Sequence, residues 1–274
     1  MICFPNAKIN IGLNIVSKRP DGYHNLETLF YPIDVCDALE IIDGPEIKET
    51  RLYNYGVKLE SSSEDNLVMK AYRKVNERFA LPPLEIHLRK NIPFGAGLGG
   101  GSADAAFMIR LLNDKFELGM RIEEMEQIAS GIGADVPFFI ANKPVYATGI
   151  GDEFEEIDFS LKGYFLVLIK PDVSVSTPEA YSMVKPQEPV ENIRDIVKKP
   201  IGEWKDVLVN DFELSVFTKK PVIGEIKERL YEAGALYASM SGSGSSVFGI
   251  FESEISVEGL KEEFAAFGVC IPLN

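Results

Sequence analysis

Pro93-Phe94-Gly95-Ala96-Gly97-Leu98-Gly99-Gly100-Gly101-Ser102-Ala103-Asp104-Ala105-Ala106 is the stretch on which the reading of this chain turns. Five of the seven residues from 95 to 101 are glycine. Without a Cβ, their backbone amides can come close to a ligand. Downstream, Ala105, Met108, Ile109 and Leu112 recur at i, i+3, i+4 and i+7, which predicts a helix with one apolar face. The first amides of such a helix are unpaired, and its dipole favours an anion. Upstream, Leu84, Ile86 and Leu88 alternate with Glu85, His87 and Arg89, which predicts a strand. Strand, glycine loop and helix together make a phosphate cradle. The alternative is a flexible glycine turn capped by Ser102.

Two common nucleotide motifs have to be separated from it. Gly95, Gly97 and Gly100 satisfy G-x-G-x-x-G, a weak pattern alone. The ribose-binding acid expected about twenty residues on would fall inside a second predicted helix, not at a strand end, which disfavours a dinucleotide site. Residues 95–102 also come near the P-loop signature, but Gly101 stands at its lysine position. The charge must then come from elsewhere, most simply Mg²⁺ and a lysine on another segment.

Outward from the loop, residues 7–15 alternate Ala, Ile and Leu with Lys8, Asn10, Gly12 and Asn14, which predicts a half-buried strand. A second helix carries Ile122, Met125, Ile128 and Ala129 and stops at Gly131 and Gly133. Residues 164–169 and 247–251 read as strands, residues 223–233 as a helix, and residues 241–246 as another glycine-serine turn. The only low-complexity feature is the serine cluster at 61–63. Strands and helices mix without regular alternation, so the class is α+β.

At 274 residues the chain exceeds the size of one core. A charged cluster at residues 152–161 suggests a boundary, giving domains 1–155 and 156–274. Apolar residues at 46% support a packed core rather than disorder. The formal charge of −14 repels nucleic acid, and it would repel a phosphorylated ligand unless cationic and amide donors gather at one place. Cys3, Cys36, Cys270, His24 and His87 show neither zinc spacing nor a disulfide framework. The N-terminal residues lack a signal pattern, and no apolar run is long enough to span a bilayer, so a cytoplasmic protein with no membrane partner is expected.

At this point a resemblance becomes specific. Residues 93–106 resemble the ATP-phosphate loop of the GHMP kinases, and Gly-Gly-Gly-Ser followed by Asp104 resembles their branch with a cytidyl diphosphate acceptor. In the same order, residues 6–13 resemble that branch's N-terminal strand, Arg19-Pro-Asp-Gly-Tyr-His24 its cytidine-binding turn and Gly133-Ala-Asp-Val-Pro-Phe-Phe139 its catalytic aspartate segment. Asn210-Asp-Phe-Glu213 and Met240-Ser-Gly-Ser-Gly-Ser-Ser246 resemble its C-terminal signatures. The likeness spans nearly the whole chain. It departs at Asn6, where proline is usual, at Ala103, where a second serine is usual, and at Ser245-Ser246. The loss of the second serine leaves Ser102 as the loop hydroxyl for a phosphate or Mg²⁺.

The resemblance implies a ribosomal-protein-S5-like first domain and a ferredoxin-like second domain, with the substrate in the cleft between them. It implies ATP as co-substrate with Mg²⁺, and phosphorylation of the 2-hydroxyl of 4-diphosphocytidyl-2-C-methyl-D-erythritol in the non-mevalonate isoprenoid pathway. Asp135 would be the base; a helix N-cap is its alternative, since Pro137 follows two residues on. Its apolar neighbours would desolvate it and make it a better base. Lys8 would fix that carboxylate and stabilise the alkoxide; otherwise it sits on the wet side of its strand. Asn10 shares that strand face. His24 would bond the cytosine edge with Tyr23 nearby, or be plain surface. Tyr181 would stack on the base, or pack as an amphipathic helix residue. Asn66 and Lys90 resemble adenine-pocket residues. Gly242, Ser243 and Gly244 form a second anion-ready turn for the acceptor's diphosphate. A homoserine or mevalonate kinase of the same superfamily, and a silent nucleotide-binding module, are the rival readings.

Overall fold

The computed structural model describes residues 1–57, 65–254, 259 and 264, and the backbone of 269–273. The serine cluster at 61–63 lies outside the described residues. In chain order the strands are β1 (Ile2–Cys3), β2 (Asn6–Lys18), β3 (His24–Cys36), β4 (Ala38–Asp43), β5 (Arg51–Gly56), β6 (Leu84–Lys90), β7 (Val145–Thr148), β8 (Glu153–Glu156), β9 (Phe165–Lys170), β10 (Tyr237–Met240), β11 (Val247–Phe251) and β12 (Val269–Leu273). The helices are α1 (Leu67–Phe79), α2 (Gly100–Lys115), α3 (Ile122–Ser130), α4 (Phe138–Ala141), α5 (Thr177–Tyr181), α6 (Ile193–Ile196), α7 (Phe212–Lys219) and α8 (Pro221–Glu232). This is the α+β content that the periodicities predict. Among the described residues no helix is long and apolar enough to cross a membrane.

The chain packs as two compact units, each assembled from separate stretches: Met1–Lys8, Pro32–Phe94 and Gly99–Lys143 in the first, Ile9–Tyr31, Gly95–Leu98 and Pro144–Asn274 in the second. The first unit holds the sheet β1-β4-β6-β5, antiparallel except for the parallel β5–β6 pair. One side of that sheet buries Leu39, Ile41, Leu84, Ile86 and Leu88, and α2 buries Ala105, Met108, Ile109 and Leu112, the face its sequence predicts. In α3 the pattern is only half used. Met125 and Ala129 are buried, but Ile122, the first residue of the helix, is 51% exposed.

The second unit holds the antiparallel sheet β10-β11-β9-β12. The β10–β11 hairpin pairs with β9, and β12 pairs with the other edge of β9, the split arrangement of a ferredoxin-like domain. Phe212, Val216, Ile223, Ile226 and Leu230 from α7 and α8 pack against Val167, Ile169 and Val247 of that sheet.

The third sheet, β2-β3-β7-β8, corrects one expectation. Alternation in β2 predicts a polar face in water. Instead Asn6, Lys8, Asn10 and Asn14 are buried together with Ala7, Ile9, Ile11, Leu13 and Ile15. Buried polar groups need partners, and these have them. Asn6 Oδ1 accepts from Asn142 Nδ2 at 2.7 Å, Asn10 Nδ2 donates to Thr28 Oγ1 at 3.1 Å, and Asn14 Nδ2 donates to Glu27 Oε1 at 2.8 Å. We expect Ile11→Ala to cost about 2–5 kcal/mol, as in other cores, and Ile122→Ala to change stability by less than about 0.5 kcal/mol. Urea unfolding of the two variants measures this, and equal costs would contradict the burial pattern.

Candidate active site

Helix α2 rises directly from the glycine loop. Its N-cap is Gly99, in the left-handed region, and no side chain caps it. Ser102 therefore lies inside the first turn and is not the cap, and no side chain bonds the first amides of the helix. In the first unit Lys8 runs beside this point: a Cβ on Gly99 would lie 3.3 Å from Lys8 Cε. The Lys8 ammonium is 3.5 Å from Asp135 Oδ2, with side-chain exposures of 5% and 35%. Burial drives the Lys8 pKa below its usual value, while Asp135 pulls it back up. The desolvation that the sequence places on the aspartate thus falls mainly on the lysine. The cap alternative for Asp135 does not hold, because the N-cap of α4 is Pro137 with no side-chain bond. Val136, Phe138 and Phe139 are buried behind it.

Two expected adenine-pocket residues have tasks of their own here. Asn66 caps α1, its Oδ1 accepting from Val68 N at 2.9 Å. The buried Lys90 ammonium donates to Asp37 Oδ2, and to Asp104 Oδ2 at 2.6 Å. Burial pushes the Asp104 carboxyl up to about 7, against the pull of Lys90. Pro93 and Phe94 lead out of this cluster, and Phe94 is 76% exposed. Ala103 is fully buried in α2 and offers no hydroxyl.

In the second unit the tip of the glycine loop lies against the second glycine turn. Ser241 Oγ accepts from Asn10 N at 3.2 Å and donates to Gly97 O at 2.8 Å. Ser246 N donates to Ala96 O at 3.2 Å. Gly97 has φ +75°, and a Cβ there would sit 2.0 Å from Ser241 O, so only glycine fits. Asn210 Nδ2 holds the turn from beneath, donating to Met240 O at 2.8 Å and Gly242 O at 2.9 Å. The turn's Gly242 and Gly244 both have positive φ and flank Ser243. His24 stacks on Tyr181 with ring centroids 4.7 Å apart, and Tyr181 meets Phe212 edge-on, also at 4.7 Å. Tyr23 is 62% exposed.

Sequence reasoning missed Ser241, Asn210 as a side-chain clamp, and Asp37. Asp104 was inside the decisive stretch without an assigned role. Ser241, Asn210 and Asp104 lie inside stretches that the sequence singles out, whereas Asp37, between β3 and β4, gives no signal of its own.

Residues 66–143 match the family described as GHMP kinases N terminal domain, and residues 192–270 match GHMP kinases C terminal, together more than half of the chain. The chain belongs to the GHMP kinases. A 4-diphosphocytidyl-2-C-methyl-D-erythritol kinase of Parabacteroides distasonis is 62% identical to this GHMP kinase over 252 residues, 92% of each chain. A crystal structure of a 4-(cytidine 5'-diphospho)-2C-methyl-D-erythritol kinase is similar with TM-score 0.81 and 30% identity, covering 100% of this chain and 98% of that one. A homoserine kinase from Cytophaga hutchinsonii has TM-score 0.69 at 18% identity, covering 98% of this chain and 95% of that one, and shares the fold alone.

The geometry of this GHMP kinase makes Lys8 a residue that works against stability. Because its folded pKa lies below the usual 10.5, the unfolded chain binds more protons between the two values, and stability rises with pH across that window. Lys8→Met removes the buried charge and leaves Asp135 in contact with water. We expect an unchanged or raised melting temperature, loss of the alkaline rise in stability, and kcat lower by about 10² or more. Melting curves from pH 7 to 10.5 and turnover assays test this; a variant clearly less stable than wild type would show that the Lys8–Asp135 pair is net stabilising.

Proposed function

We propose that this chain transfers the γ-phosphoryl group of ATP to the 2-hydroxyl of 4-diphosphocytidyl-2-C-methyl-D-erythritol, a step of the non-mevalonate isoprenoid precursor pathway. One observation carries the chemistry: the Lys8–Asp135 pair beside the uncapped N-terminus of α2. The 62% identity to a kinase of that name carries the choice of acceptor, since the fold is common to homoserine kinases.

Phosphoryl transfer asks mainly for alignment and charge neutralisation. Asp135, partly open to water, takes the proton from the 2-hydroxyl. Lys8 holds the carboxylate and stabilises the negative charge that grows on that oxygen. Loop amides from residues 95–99 and the first amides of α2 (100–102), with the Ser102 hydroxyl, cradle the phosphates of ATP, while Ala103 N donates to Gly99 O at 2.9 Å and closes the first helical turn beneath them. Lys90 and Asn66 border the nucleotide. Asn10 and the turn 242–244 receive the diphosphate of the acceptor. His24 bonds the cytosine edge, with Tyr23 beside it, and Tyr181 stacks on the ring. His24 and Tyr181 contact each other directly, so a base inserted between them would have to part the two rings.

Among the described residues no three His, Cys, Asp or Glu side chains converge on a metal site. Mg²⁺ is usually held through substrate phosphates and one or two protein oxygens. Ser102 would supply such an oxygen, and the ion would neutralise charge on the phosphates. A highly charged soluble acceptor also fits a cytoplasmic enzyme of small molecules, with neither nucleic acid nor membrane as partner.

Purified protein should release ADP only with the cytidyl substrate and Mg²⁺ present, at about 1–100 s⁻¹. Turnover on homoserine or mevalonate with none on the cytidyl substrate would falsify the assignment. Tyr181→Ala removes a stacking face worth about 1–3 kcal/mol, so acceptor binding should weaken roughly 5- to 150-fold while ATP affinity stays. The contact with Phe212 means the melting temperature falls as well; selectivity for the acceptor is therefore the deciding readout. Equal loss for both substrates, or unchanged acceptor affinity, removes Tyr181 from the site.

A further inference from the structure

We infer that Asp37 and Asp104, acting through the Lys90 ammonium, are positioning residues that clamp both ends of the phosphate loop. The inference rests on the kinase reading above and adds residues that the reaction itself does not touch.

The entry to the loop is fixed by one carboxylate. Asp37 Oδ1 accepts from Asn91 N at 2.5 Å and from Ile92 N at 2.8 Å, the two amides that follow β6. Asn91 Nδ2 adds a bond to Cys36 O at 3.1 Å. The exit is fixed by the other carboxylate: Asp104, in the second turn of α2, accepts from Lys90 Nζ at 2.6 Å. The same ammonium is bonded to Asp37 Oδ2, so one buried cation ties the two ends together. Residues 93–99 thus span two points held about one side chain apart. The fit is close. A Cβ on Gly100 would lie 2.8 Å from Ile92 Cγ2 and 3.3 Å from Lys90 Nζ.

Stability alone gives poor reason for such a cluster. Lys90, Asp37 and Asp104 are all buried, two carboxylates share one cation, and Asp104 Oδ1 is buried without a hydrogen-bond partner. Apolar side chains of similar volume usually stabilise as well as, or better than, buried ions. Directional bonds supply what apolar packing does not: a set place for the chain where it leaves β6 and where α2 begins. Amides that hold transferring phosphates need that placement, since about 1 Å of displacement can cost about 10²-fold in rate.

The test uses the full chain with two substitutions. Asp104→Ser is too short to reach Lys90, whereas Asp104→Asn is isosteric and can accept the same bond. Asp104→Ser should lower kcat/KM for ATP and weaken a non-hydrolysable ATP analogue by about 10- to 100-fold, with the acceptor KM within about 2-fold. Asp104→Asn should restore ATP handling to within about 3-fold of wild type. A folded Asp104→Ser enzyme with wild-type ATP affinity and kcat, or with equal losses for both substrates, overturns the proposal. Hydrogen exchange on the unsubstituted enzyme is a second measurement that needs no variant to fold. The amides of Asn91 and Ile92 should exchange as slowly as those of β6 before any nucleotide is added; exchange as fast as that of residues 94–98 would also overturn it. If wild type binds the ATP analogue yet fails to phosphorylate the cytidyl substrate, the acceptor assignment fails and the analogue titrations still decide the clamp.

Discussion

Polar side chains buried along one face of a strand have to find partners, and the architecture of the site follows from meeting that need in β2. Leaving an amide or ammonium buried and unpaired costs several kcal/mol, so each polar residue on that face recruits something. Lys8 recruits Asp135, Asn10 recruits Thr28, and Asn14 recruits Glu27. Glu27 is in turn satisfied by Tyr146 and Asn192. The residues proposed for catalysis are one end of this row. Their placement is therefore enforced by the same rule that keeps the strand folded, and β2 cannot slip by one residue without putting Ile9 and Ile11 where Lys8 and Asn10 sit.

The glycine loop is constrained in a different way. Its composition permits close backbone approach but does not choose a conformation, because glycine populates much of φ/ψ space. Selection comes from outside the loop. Ser241 reads the carbonyl of Gly97 and the amide of Asn10 with one hydroxyl, and Ser246 bonds Ala96. Asn210 then holds the carbonyls of Met240 and Gly242. The loop is a permissive segment shaped by fixed polar neighbours, which is how a run this rich in glycine can be ordered.

These two cases also explain what was legible in the sequence. Periodicity located the apolar face of α2 and the strands β6, β9 and β11 because burial on one side leaves a regular trace. It misjudged β2, where the alternation is real but both faces are inside; a polar stripe that is buried and paired looks identical in sequence to one that is wet. The Lys8–Asp135 pair is separated by most of the first unit's sequence, and only the family resemblance joined them. Asp37 lies between two strands, with no motif around it, and its role depends on amides more than fifty residues away. Ser241 was visible as part of a glycine-serine turn, yet the hydroxyl's two bonds are tertiary facts.

Net charge illustrates the same division between what is summed and what is placed. A chain of −14 should repel ATP and a diphosphate acceptor alike. That repulsion is long-range and fades beyond a Debye length of about 8 Å at physiological salt. At short range the start of α2 presents backbone amides, which the summed charge does not register. Its amides are uncapped, Lys8 passes at Gly99, and the Lys90 ammonium lies against Gly100. Both lysines are buried, and each is held by carboxylates of its own unit: Lys8 by Asp135, Lys90 by Asp37 and Asp104. These three carboxylates face two ammoniums, so any local preference for an anion rests on the α2 amides. On the proposed reading an arriving phosphate would meet those oriented donors at contact distance rather than the protein's total charge.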